Sequence, residues 1–273
     1  MVTSPPADAA DAADLALALR LAVDADLRTT AAFRSADLVV ETKPDLTPVT
    51  EADRAVEAAL RRVLEVERPG DAVVGEEHGT TGTGTRRWII DPIDGTKNFV
   101  RGIPVWATLI ALEVDGRVQV GVVSAPALHR RWWAASGHGA FAAPLEGGAP
   151  GEATPCRVSA VADLADAQVS AGSLGGWDEA AGARLDGYLA LVRACWRDRS
   201  LGDFWSHALV AEGACDIGID PVASLWDMAA VQILVEEAGG RFTDLAGRPT
   251  AGGGSGVSTN GLLHDATLDL LRG

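Results

Sequence analysis

The sequence predicts a mixed α/β protein, and three features of its pattern predict this class. Apolar residues recur at helical spacing near the N-terminus, from Asp11 to about Phe33 and again after Thr50. From Trp88 to about Ala143, short apolar runs alternate with turn residues, which is typical of strands. After residue 155, strand-like and helix-like segments alternate. With 273 residues, of which 47% are hydrophobic, the chain is long enough for one large domain or two modest ones.

The N-terminal segments are predicted to be mainly structural. Residues 1 to about 10 are expected to be disordered, and the first helix is expected to pack on a core without chemistry of its own. The polar, proline-containing loop that follows includes Asp45, which we interpret as a turn residue. Thr50-Glu51-Ala52-Asp53 resembles a capping box at the start of the second helix, although Asp replaces the usual Glu or Gln. Capping is therefore one interpretation of Asp53.

Two adjacent acids are predicted to follow directly after a short strand. Asp71–Gly75 is apolar enough for such a strand, and Glu76 and Glu77 follow it directly. The Gly/Thr-rich segment HGTTGTGT then predicts a hairpin loop. Antiparallel pairing across that loop would bring Glu76 towards Asp91. The alternative is that both glutamates are solvated.

The stretch WIIDPIDGTKNF, Trp88–Phe99, is the part of the chain around which we expect the site to be organised. Its apolar start predicts the end of a buried strand. Pro92 is expected to stop that strand and to hold the preceding residue extended. Asp91 and Asp94 would then lie three residues apart on a sharp turn. The alternative interpretation is that both aspartates only cap and turn the chain.

The same turn predicts a site for an anion and for divalent cations. Asp94-Gly95-Thr96 is expected to begin a helix or helical turn, with Asp94 as a candidate N-cap. The free backbone N–H groups of such a turn favour an anion such as phosphate. Carboxylates beside a bound anion would repel it, and divalent cations remove this conflict. Hard oxygen ligands of this kind suit Mg²⁺.

After Phe99 the chain is predicted to continue as two hairpins. Val105–Val114 and Arg117–Ala125 flank Asp115-Gly116, a strong hairpin signal. A second hairpin is predicted for residues 131–135 and 139–143. The cluster RRWW at 130–133 is interpreted as a half-buried strand rather than a nucleic-acid site. Residues 144–155 are the predicted boundary between an N-terminal α+β half, 1–150, and a C-terminal α/β half, 151–273.

The second half is predicted to alternate strands and helices. The predicted strands are Ala167–Ala171, Asp216–Ile219 and two short strands after Gly240. The predicted helices are Glu179–Arg193 with Leu185, Leu189 and Val192 inward, Gly202–Gly213, Leu225–Ala238 and Leu262–Leu271. Trp226-Asp227 lies in the first turn of its helix, where an acid also suits the helix dipole.

Charge and composition exclude several classes of partner. A formal net charge of −15 argues against nucleic acid and anionic membranes. The acidic N-terminal segment lacks Lys and Arg, so it resembles neither a signal peptide nor a transit peptide, and no apolar run reaches the length of a membrane span. Cys156, Cys195 and Cys215 are odd in number and lack a CxxC pattern, which favours reduced thiols in a cytoplasmic protein. The histidines lack zinc-ligand spacing.

Taken together, GEE at 75–77, DPIDGT at 91–96 and WDMAA at 226–230 resemble the inositol monophosphatase family. The resemblance extends from about Asp45 to the C-terminal helix. It implies a layered αβαβα sandwich in two halves, with the site between them and a homodimer as the assembly. It also implies Mg²⁺-dependent hydrolysis of a small-molecule phosphate ester.

The resemblance also implies roles for individual residues. The implied metal ligands are four carboxylates and one backbone carbonyl, from Glu76, Asp91, Asp94, Asp227 and Ile93. Gly95 and Thr96 would present N–H groups to the phosphate. Asp53 would pair with the Thr96 hydroxyl and support a third metal, and together with Glu76 these two residues are the candidate catalytic residues. Two Mg²⁺ ions would balance the four carboxylates, and a phosphate dianion with Asp53 calls for a third. We therefore expect about two to three Mg²⁺ per site, with Mn²⁺ as an alternative.

Two further acids predict the substrate. Gly202-Asp203 resembles the histidinol-phosphate phosphatase branch of the family, and Asp220 lies at the family's substrate-contacting position. Two carboxylates near the leaving group suit a cationic substrate such as histidinol phosphate, an intermediate of histidine biosynthesis. The alternative roles are an N-cap for Asp203 and a turn acid for Asp220. The alternative functions are a phosphatase of inositol 1-phosphate or of sugar phosphates more broadly, and a non-catalytic metal-binding interaction protein.

Overall fold

In the described part of the chain, two large β-sheets alternate with three helical layers, and a two-stranded sheet joins residues 40–42 to 48–50, so the predicted αβαβα sandwich is confirmed. The computed structural model describes residues 7–42, 48–177 and 184–272. The predicted turn at Asp45 and the first residues of the helix predicted from Glu179 lie outside this part, as do residues 1–6 of the predicted disordered N-terminus. The predicted division of the chain at residue 150 stays a prediction.

The helices differ most from prediction at their ends. They are α1 Ala7–Ala32, α2 Glu51–Glu67, α3 Thr96–Val100, α4 Leu185–Ala194, α5 Asp203–Ala211, α6 Leu225–Glu237 and α7 His264–Arg272. Three short 3₁₀ helices lie at Pro126–Leu128, Leu164–Asp166 and Leu174–Trp177. The first helix begins four residues before the predicted Asp11, so residues 7–10 are helical rather than disordered.

The strands include several short ones that the sequence pattern did not predict. Those before residue 100 are β1 Val40–Thr42, β2 Pro48–Thr50, β3 Ala72–Gly75, β4 Gly79–Thr81 and β5 Arg86–Asp94. Those of the central region are β6 Ala107–Val114, β7 Arg117–Ala125, β8 Arg130–Ala135, β9 Gly139–Glu146, β10 Ala149–Pro150 and β11 Thr154–Pro155. The remaining strands are β12 Gln168–Ala171, β13 Arg197–Arg199, β14 Ile217–Asp220, β15 Arg241–Thr243 and β16 Gly256–Thr259.

The larger sheet has the order β10-β9-β8-β7-β6-β5-β3-β4, and β11 pairs with β9. Both predicted hairpins are confirmed, and Asp115 and Gly116 have the positive φ angles, 49° and 77°, of a tight primed turn. The Arg130–Trp133 cluster lies on β8, with Arg131 and Trp132 buried, as predicted for a half-buried strand.

Two predictions about β5 were wrong. The strand β3 pairs with β5 in parallel, with Gly75 opposite Ile90, rather than antiparallel. The intervening segment forms β4 on the outer side of β3, so the chain crosses back before β5 begins. In addition, β5 continues past Pro92 to Asp94, because the pairing register with β6 shifts between Asp91 and Asp94. A bulge of this kind tolerates a residue that lacks an N–H.

The layers are visible in the cores. The helices α1 and α2 pack on one face of the large sheet, around Leu21, Leu60 and Ile110. On the other face, α5 and α6 lie between the two sheets, around Phe204 and Val231. In the part of the chain that the structure describes, none of the helices combines the length and the apolar character that a membrane crossing requires.

The smaller sheet has the order β13-β12-β14-β16-β15, and α4 and α7 cover its outer face. The prediction that Leu189 faces inward was wrong, since this side chain is 38% exposed. Tyr188 and Leu191 face the core instead, because α4 packs closely against α7. A Cβ at the neighbouring Gly187 would lie 2.6 Å from the Leu270 carbonyl oxygen.

Candidate active site

Three carboxylates meet where the large sheet faces α6. Oxygen atoms of Asp91, Asp94 and Asp227 all lie within 4.8 Å of one another. Asp91 and Asp94 come from the bulge of β5, and Asp227 comes from the first turn of α6. The structure therefore brings together three of the four acids that the sequence analysis assigned to metal.

A backbone N–H holds each of these carboxylates. Asp91 accepts from Ile93 at 2.9 Å, Asp94 from Phe204 at 2.8 Å and Asp227 from Ser224 at 2.6 Å. The bulge, the start of α5 and the start of α6 supply these donors. The three acids are consequently fixed by local backbone geometry, and no Lys or Arg side chain is needed to orient them.

The fourth acid, Glu76, follows β3 at the same edge of the sheet. Because β3 and β5 are parallel, their carboxyl ends lie side by side, and the Glu76 N–H donates to the Ile90 carbonyl at 3.3 Å. The charge of Glu76 also contributes to raising the pKa values of Asp91, Asp53 and Asp227. Parallel pairing thus gives the proximity that the predicted antiparallel hairpin was expected to give.

The electrostatics of the cluster fit a divalent cation. Burial, followed by the charge of Glu76, raises the pKa of Asp91 well above its ordinary value. Burial and the charge of Asp203 do the same for Asp94, and burial raises the pKa of Asp227 to about 7. Buried like charges destabilise one another unless a cation compensates them. A donor set made only of carboxylate oxygens suits Mg²⁺ or Mn²⁺.

Asp53 makes both the capping contacts of α2 and the predicted contact with Thr96. Its carboxylate accepts the Thr50 N–H at 2.8 Å, and its own N–H donates to the Thr50 hydroxyl at 3.3 Å, which completes the capping box of α2. The other carboxylate oxygen lies 3.4 Å from the hydroxyl of Thr96. That hydroxyl also donates to the Ile93 carbonyl at 3.0 Å. Capping and contact with Thr96 therefore coexist in one residue.

The turn after β5 differs from prediction in its cap. Gly95 rather than Asp94 precedes α3, with φ of 82°, and it provides no side-chain cap. The Asp94 carboxylate is instead occupied by Phe204 of α5. A Cβ at Gly95 would lie 3.0 Å from the Val105 carbonyl oxygen and 3.1 Å from the Asp203 carboxylate. The close approach of these groups and the positive φ both require glycine at this position.

Asp203 and Asp220 lie beside the four acids assigned to metal, which we call the metal-type acids: Glu76, Asp91, Asp94 and Asp227. Burial and the charge of Asp220 raise the pKa of Asp203 to about 6, and Asp220 also raises the pKa values of Asp94 and Asp227. The N-cap alternative for Asp203 was wrong: Gly202 is the cap, and Asp203 is the first helical residue, with φ of 48°. Its carboxylate accepts from the side-chain amide of Asn98 at 3.2 Å.

Four residues that contact this region were not identified from the sequence: Glu57, Asn98, His207 and Ser258. Glu57 is fully buried and accepts the N–H groups of Glu77 at 2.7 Å and of His78 at 3.2 Å. Its position one helical turn after Asp53 was a signal that could have found it. His207 has the same spacing from Asp203, whereas nothing in the sequence pattern points to Asn98 or Ser258.

The chain is similar to known proteins over most of its length. A model of the inositol monophosphatase family matches residues 11–272. The histidinol-phosphatase of Mycobacterium tuberculosis is 56% identical over 261 residues, which cover 95% of this chain and 98% of that protein. The histidinol-phosphatase of Streptomyces coelicolor is 54% identical over 263 residues, which cover 95% and 97%. Among solved structures, Thermotoga maritima IMPase has a TM-score of 0.81 at 31% identity, covering 96% of this chain and 97% of that one.

Proposed function

Because the chain belongs to the inositol monophosphatase family and is a phosphoric monoester hydrolase, we propose that its substrate is L-histidinol phosphate and that its cofactor is Mg²⁺. The products would be L-histidinol and phosphate, which gives the enzyme a place in histidine biosynthesis. We further propose that it acts as a homodimer in the cytoplasm. The names of the relatives at 54–56% identity support the choice of substrate.

The observation that carries the proposal is the pair of extra acids beside the cluster. Asp203 and Asp220 are close enough for the charge of one to raise the pKa of the other. Neither belongs to the group of carboxylates, from Asp91, Asp94 and Asp227, whose oxygens lie within 4.8 Å of one another. The amino and imidazole groups of L-histidinol can donate charged hydrogen bonds to these carboxylates. Each such bond contributes about 1.5–3 kcal/mol, whereas a neutral polyol offers no charge to them.

In the proposed site, the metal ligands are the carboxylates of Glu76, Asp91, Asp94 and Asp227, together with the Ile93 carbonyl and, for a third ion, Asp53. When bound, Mg²⁺ supplies polarisation of the phosphate and a water of lowered pKa. The backbone N–H groups of Gly95 and Thr96 bind the phosphate oxygens.

Thr96 and Asp53 orient the attacking water. The Thr96 hydroxyl lies between the Asp53 carboxylate and the Ile93 carbonyl, at 3.4 Å and 3.0 Å. Both neighbours are acceptors, so the hydroxyl proton is directed towards one of them and the lone pairs of the oxygen remain for a water. A water held in this way is positioned for in-line attack on phosphorus, and such positioning lowers the entropic part of the barrier.

The experiment that tests the substrate is a side-by-side measurement of kcat/KM on L-histidinol phosphate and inositol 1-phosphate, with and without Mg²⁺. We expect a preference of at least about tenfold for L-histidinol phosphate, from one charged hydrogen bond. We also expect activity to disappear when Mg²⁺ is chelated and to return when it is restored. A preference for inositol 1-phosphate would replace our substrate. Lack of phosphate release from either ester would favour a metal-binding protein without activity.

A further inference from the structure

The helix α5 carries two polar residues that belong to one face, Asp203 at its start and His207 one turn later. His207 is fully buried. Its Nε2 atom lies 3.0 Å from Oδ2 of Asp220, and its Nδ1 atom lies 2.7 Å from the hydroxyl of Ser258. These contacts join α5, the end of β14 and the middle of β16.

The chemistry of the three groups sets the direction of both hydrogen bonds. An ionised carboxylate only accepts, so Nε2 of His207 carries the proton and donates it to Asp220. In the neutral ring, Nδ1 is then an acceptor, and the Ser258 hydroxyl donates to it. Asp220 therefore sets the tautomer of His207, and Ser258 holds the ring at its other nitrogen, just as a second hydrogen bond orients histidines at metal sites.

The surroundings of Asp220 leave part of its side chain accessible. The side chain keeps 12% of its surface exposed, whereas His207 keeps 0%. A Cβ at Gly172 would lie 2.3 Å from Oδ1 of Asp220, so this oxygen packs against a position that requires glycine. The histidine thus holds one carboxylate oxygen from inside the protein, while part of the Asp220 side chain stays accessible to a ligand.

We propose that His207, held by Ser258, is a positioning residue that orients Asp220 towards the cationic part of the substrate. This inference rests on the proposed function, in which the substrate is a phosphate ester with a cationic leaving group. The same helix would present Asp203 to the substrate directly. Its second residue, Phe204, donates its N–H to Asp94, so α5 connects recognition of the leaving group with the metal-type acids.

The competing explanation is that His207 is only a core histidine whose hydrogen bonds are satisfied. Its ring lies 6.2 Å from that of Phe242, and it is packed within the inter-sheet core. A purely structural residue would affect all substrates alike. A positioning residue would affect only those whose leaving group carries a positive charge.

The test compares L-histidinol phosphate with p-nitrophenyl phosphate, whose leaving group carries no cation. For His207→Leu we expect KM for L-histidinol phosphate to rise about tenfold, the lower end for one charged hydrogen bond, with kcat changed less than twofold. We also expect L-histidinol to lose a similar factor as a competitive inhibitor, while KM for p-nitrophenyl phosphate is unchanged. His207→Gln keeps a donor near the Nε2 position and should restore most of the lost affinity. Ser258→Ala should give a smaller loss, and His138→Ala, at an exposed position, is the control.

Equal changes in KM or kcat on both esters would overturn the proposal, and so would an unchanged KM in a variant with wild-type Tm. If His207→Leu does not fold, Ser258→Ala and His207→Gln test the proposal instead. The quantity compared is again the change in KM for L-histidinol phosphate relative to the change in KM for p-nitrophenyl phosphate. Failure of the proposed function looks different, because the wild-type enzyme itself would then show no preference for L-histidinol phosphate over p-nitrophenyl phosphate. That result would overturn both proposals, whereas a wild-type preference that survives in the His207 variants overturns only this one.

Discussion

Asp53 and Asp227 each combine two roles at the level of a single residue. Each accepts the backbone N–H of the residue that precedes its helix, and each also lies among the acids of the site. Position N3 of a helix points a carboxylate back towards the chain that enters the helix. Here that entering chain is part of the site, so capping a helix and building the acidic cluster require the same geometry.

Asp91→Asn is expected to abolish turnover and leave the fold intact. The amide oxygen can still accept the Ile93 N–H, now 2.9 Å away, but the side chain no longer carries charge for a cation. We expect kcat/KM to fall more than about 100-fold, beyond the range for losing a partner of a metal ligand. Phosphate release and circular dichroism check the two halves of this prediction.

The thermal behaviour of Asp91→Asn provides a second measurement. Mg²⁺ should raise the Tm of the wild-type protein, because it binds the folded state, and it should raise that of the variant less. Asp115→Asn, in the exposed hairpin turn, is a matched control that should behave like wild type. An active Asp91→Asn enzyme would refute the assignment of this residue.

The buried ring of His264 is expected to make the folded protein less stable in mild acid. Its ring is buried between the hydroxyls of Thr243 and Thr259, at 2.9 Å and 3.0 Å. Burial, assisted by the charge of Arg241, lowers its pKa from 6.5 to about 4. Between these two pH values His264 is protonated in the unfolded chain and neutral in the folded protein. The free energy of unfolding therefore falls as pH falls from about 6.5 to 4. Above pH 7 this contribution is fully present.

Urea unfolding at pH 7.5 and at pH 5 measures the effect of His264. We expect His264→Asn to be less stable at pH 7.5, because the ring packing is lost, but to lose less additional stability on acidification than wild type. His138→Asn, at an exposed position, should keep the wild-type dependence on pH. An identical acid-induced loss in wild type and His264→Asn would assign the effect to other groups.

At the level of elements, α2 holds two parts of the site in place. Asp53 contacts Thr96, and Glu57, one turn later, accepts two N–H groups from the turn that carries Glu76. Arg61 pairs with Glu57 at 2.7 Å. A Cβ at Gly75 would lie 2.1 Å from the Glu57 carboxylate, so this contact also requires glycine at the end of β3.

Glu57→Gln is expected to weaken the response to Mg²⁺ rather than the fold. The amide has one acceptor oxygen, so one of the two N–H bonds is lost and the Glu76 turn is held less firmly. We expect the Mg²⁺ concentration for half-maximal activity to rise about tenfold, the usual loss for an outer-shell partner, with kcat at saturating Mg²⁺ closer to wild type. Glu65→Gln, exposed on the same helix, is the control, and an unchanged Mg²⁺ titration would contradict the prediction.

Elements with strong local signals were predictable, and those that depend on distant pairing were not. The Asp115-Gly116 hairpin and α6 have turn residues and periodicity that specify them locally. The direction of β3 relative to β5 depends on β4, a strand of three exposed residues with no apolar pattern. The continuation of β5 past Pro92 depends on pairing with β6. The pairing of β5 within the sheet therefore overrides the local preference of Pro92 to end a strand.

At the level of the whole molecule, a buried ion pair connects the outer helical layer to the large sheet. Arg131 of β8 donates to Asp26 of α1 at 2.7 Å and to Ser124 of β7 at 2.9 Å. Both charged side chains are nearly inaccessible. Breaking such a pair leaves an uncompensated charge in the core, which costs more than the pair contributes while it is intact.

Asp26→Ala is expected to lower the free energy of unfolding by about 3–5 kcal/mol, because the Arg131 charge is left buried without a partner. The double variant Asp26→Leu with Arg131→Met should recover much of this loss. Asp24→Ala removes an exposed pair with Arg28 on the same helix and should cost less than about 1 kcal/mol. Urea unfolding measures all three, and equal losses in Asp24→Ala and Asp26→Ala would contradict the prediction.

The acids of the site were predictable from motifs, but the groups that hold them were not. The metal-type acids Glu76, Asp91, Asp94 and Asp227 belong to the short strings GEE, DPIDGT and WDMAA, which can be read directly from the sequence. The amide of Asn98 and the N–H of Phe204 reach the site only through the packing of α3 and α5. Contacts of that kind depend on tertiary structure, which a linear pattern does not contain.

The distance in sequence between Asp94 and Asp227 has a consequence for synthesis. The ribosome releases the bulge of β5 long before it releases α6, so a growing polypeptide contains the first acids while the layer that opposes them is still untranslated. The pocket therefore closes late, after every strand of the large sheet has emerged. A nascent chain halted before α6 would be inert however well its first sheet had formed, and the onset of hydrolysis would mark the completion of folding.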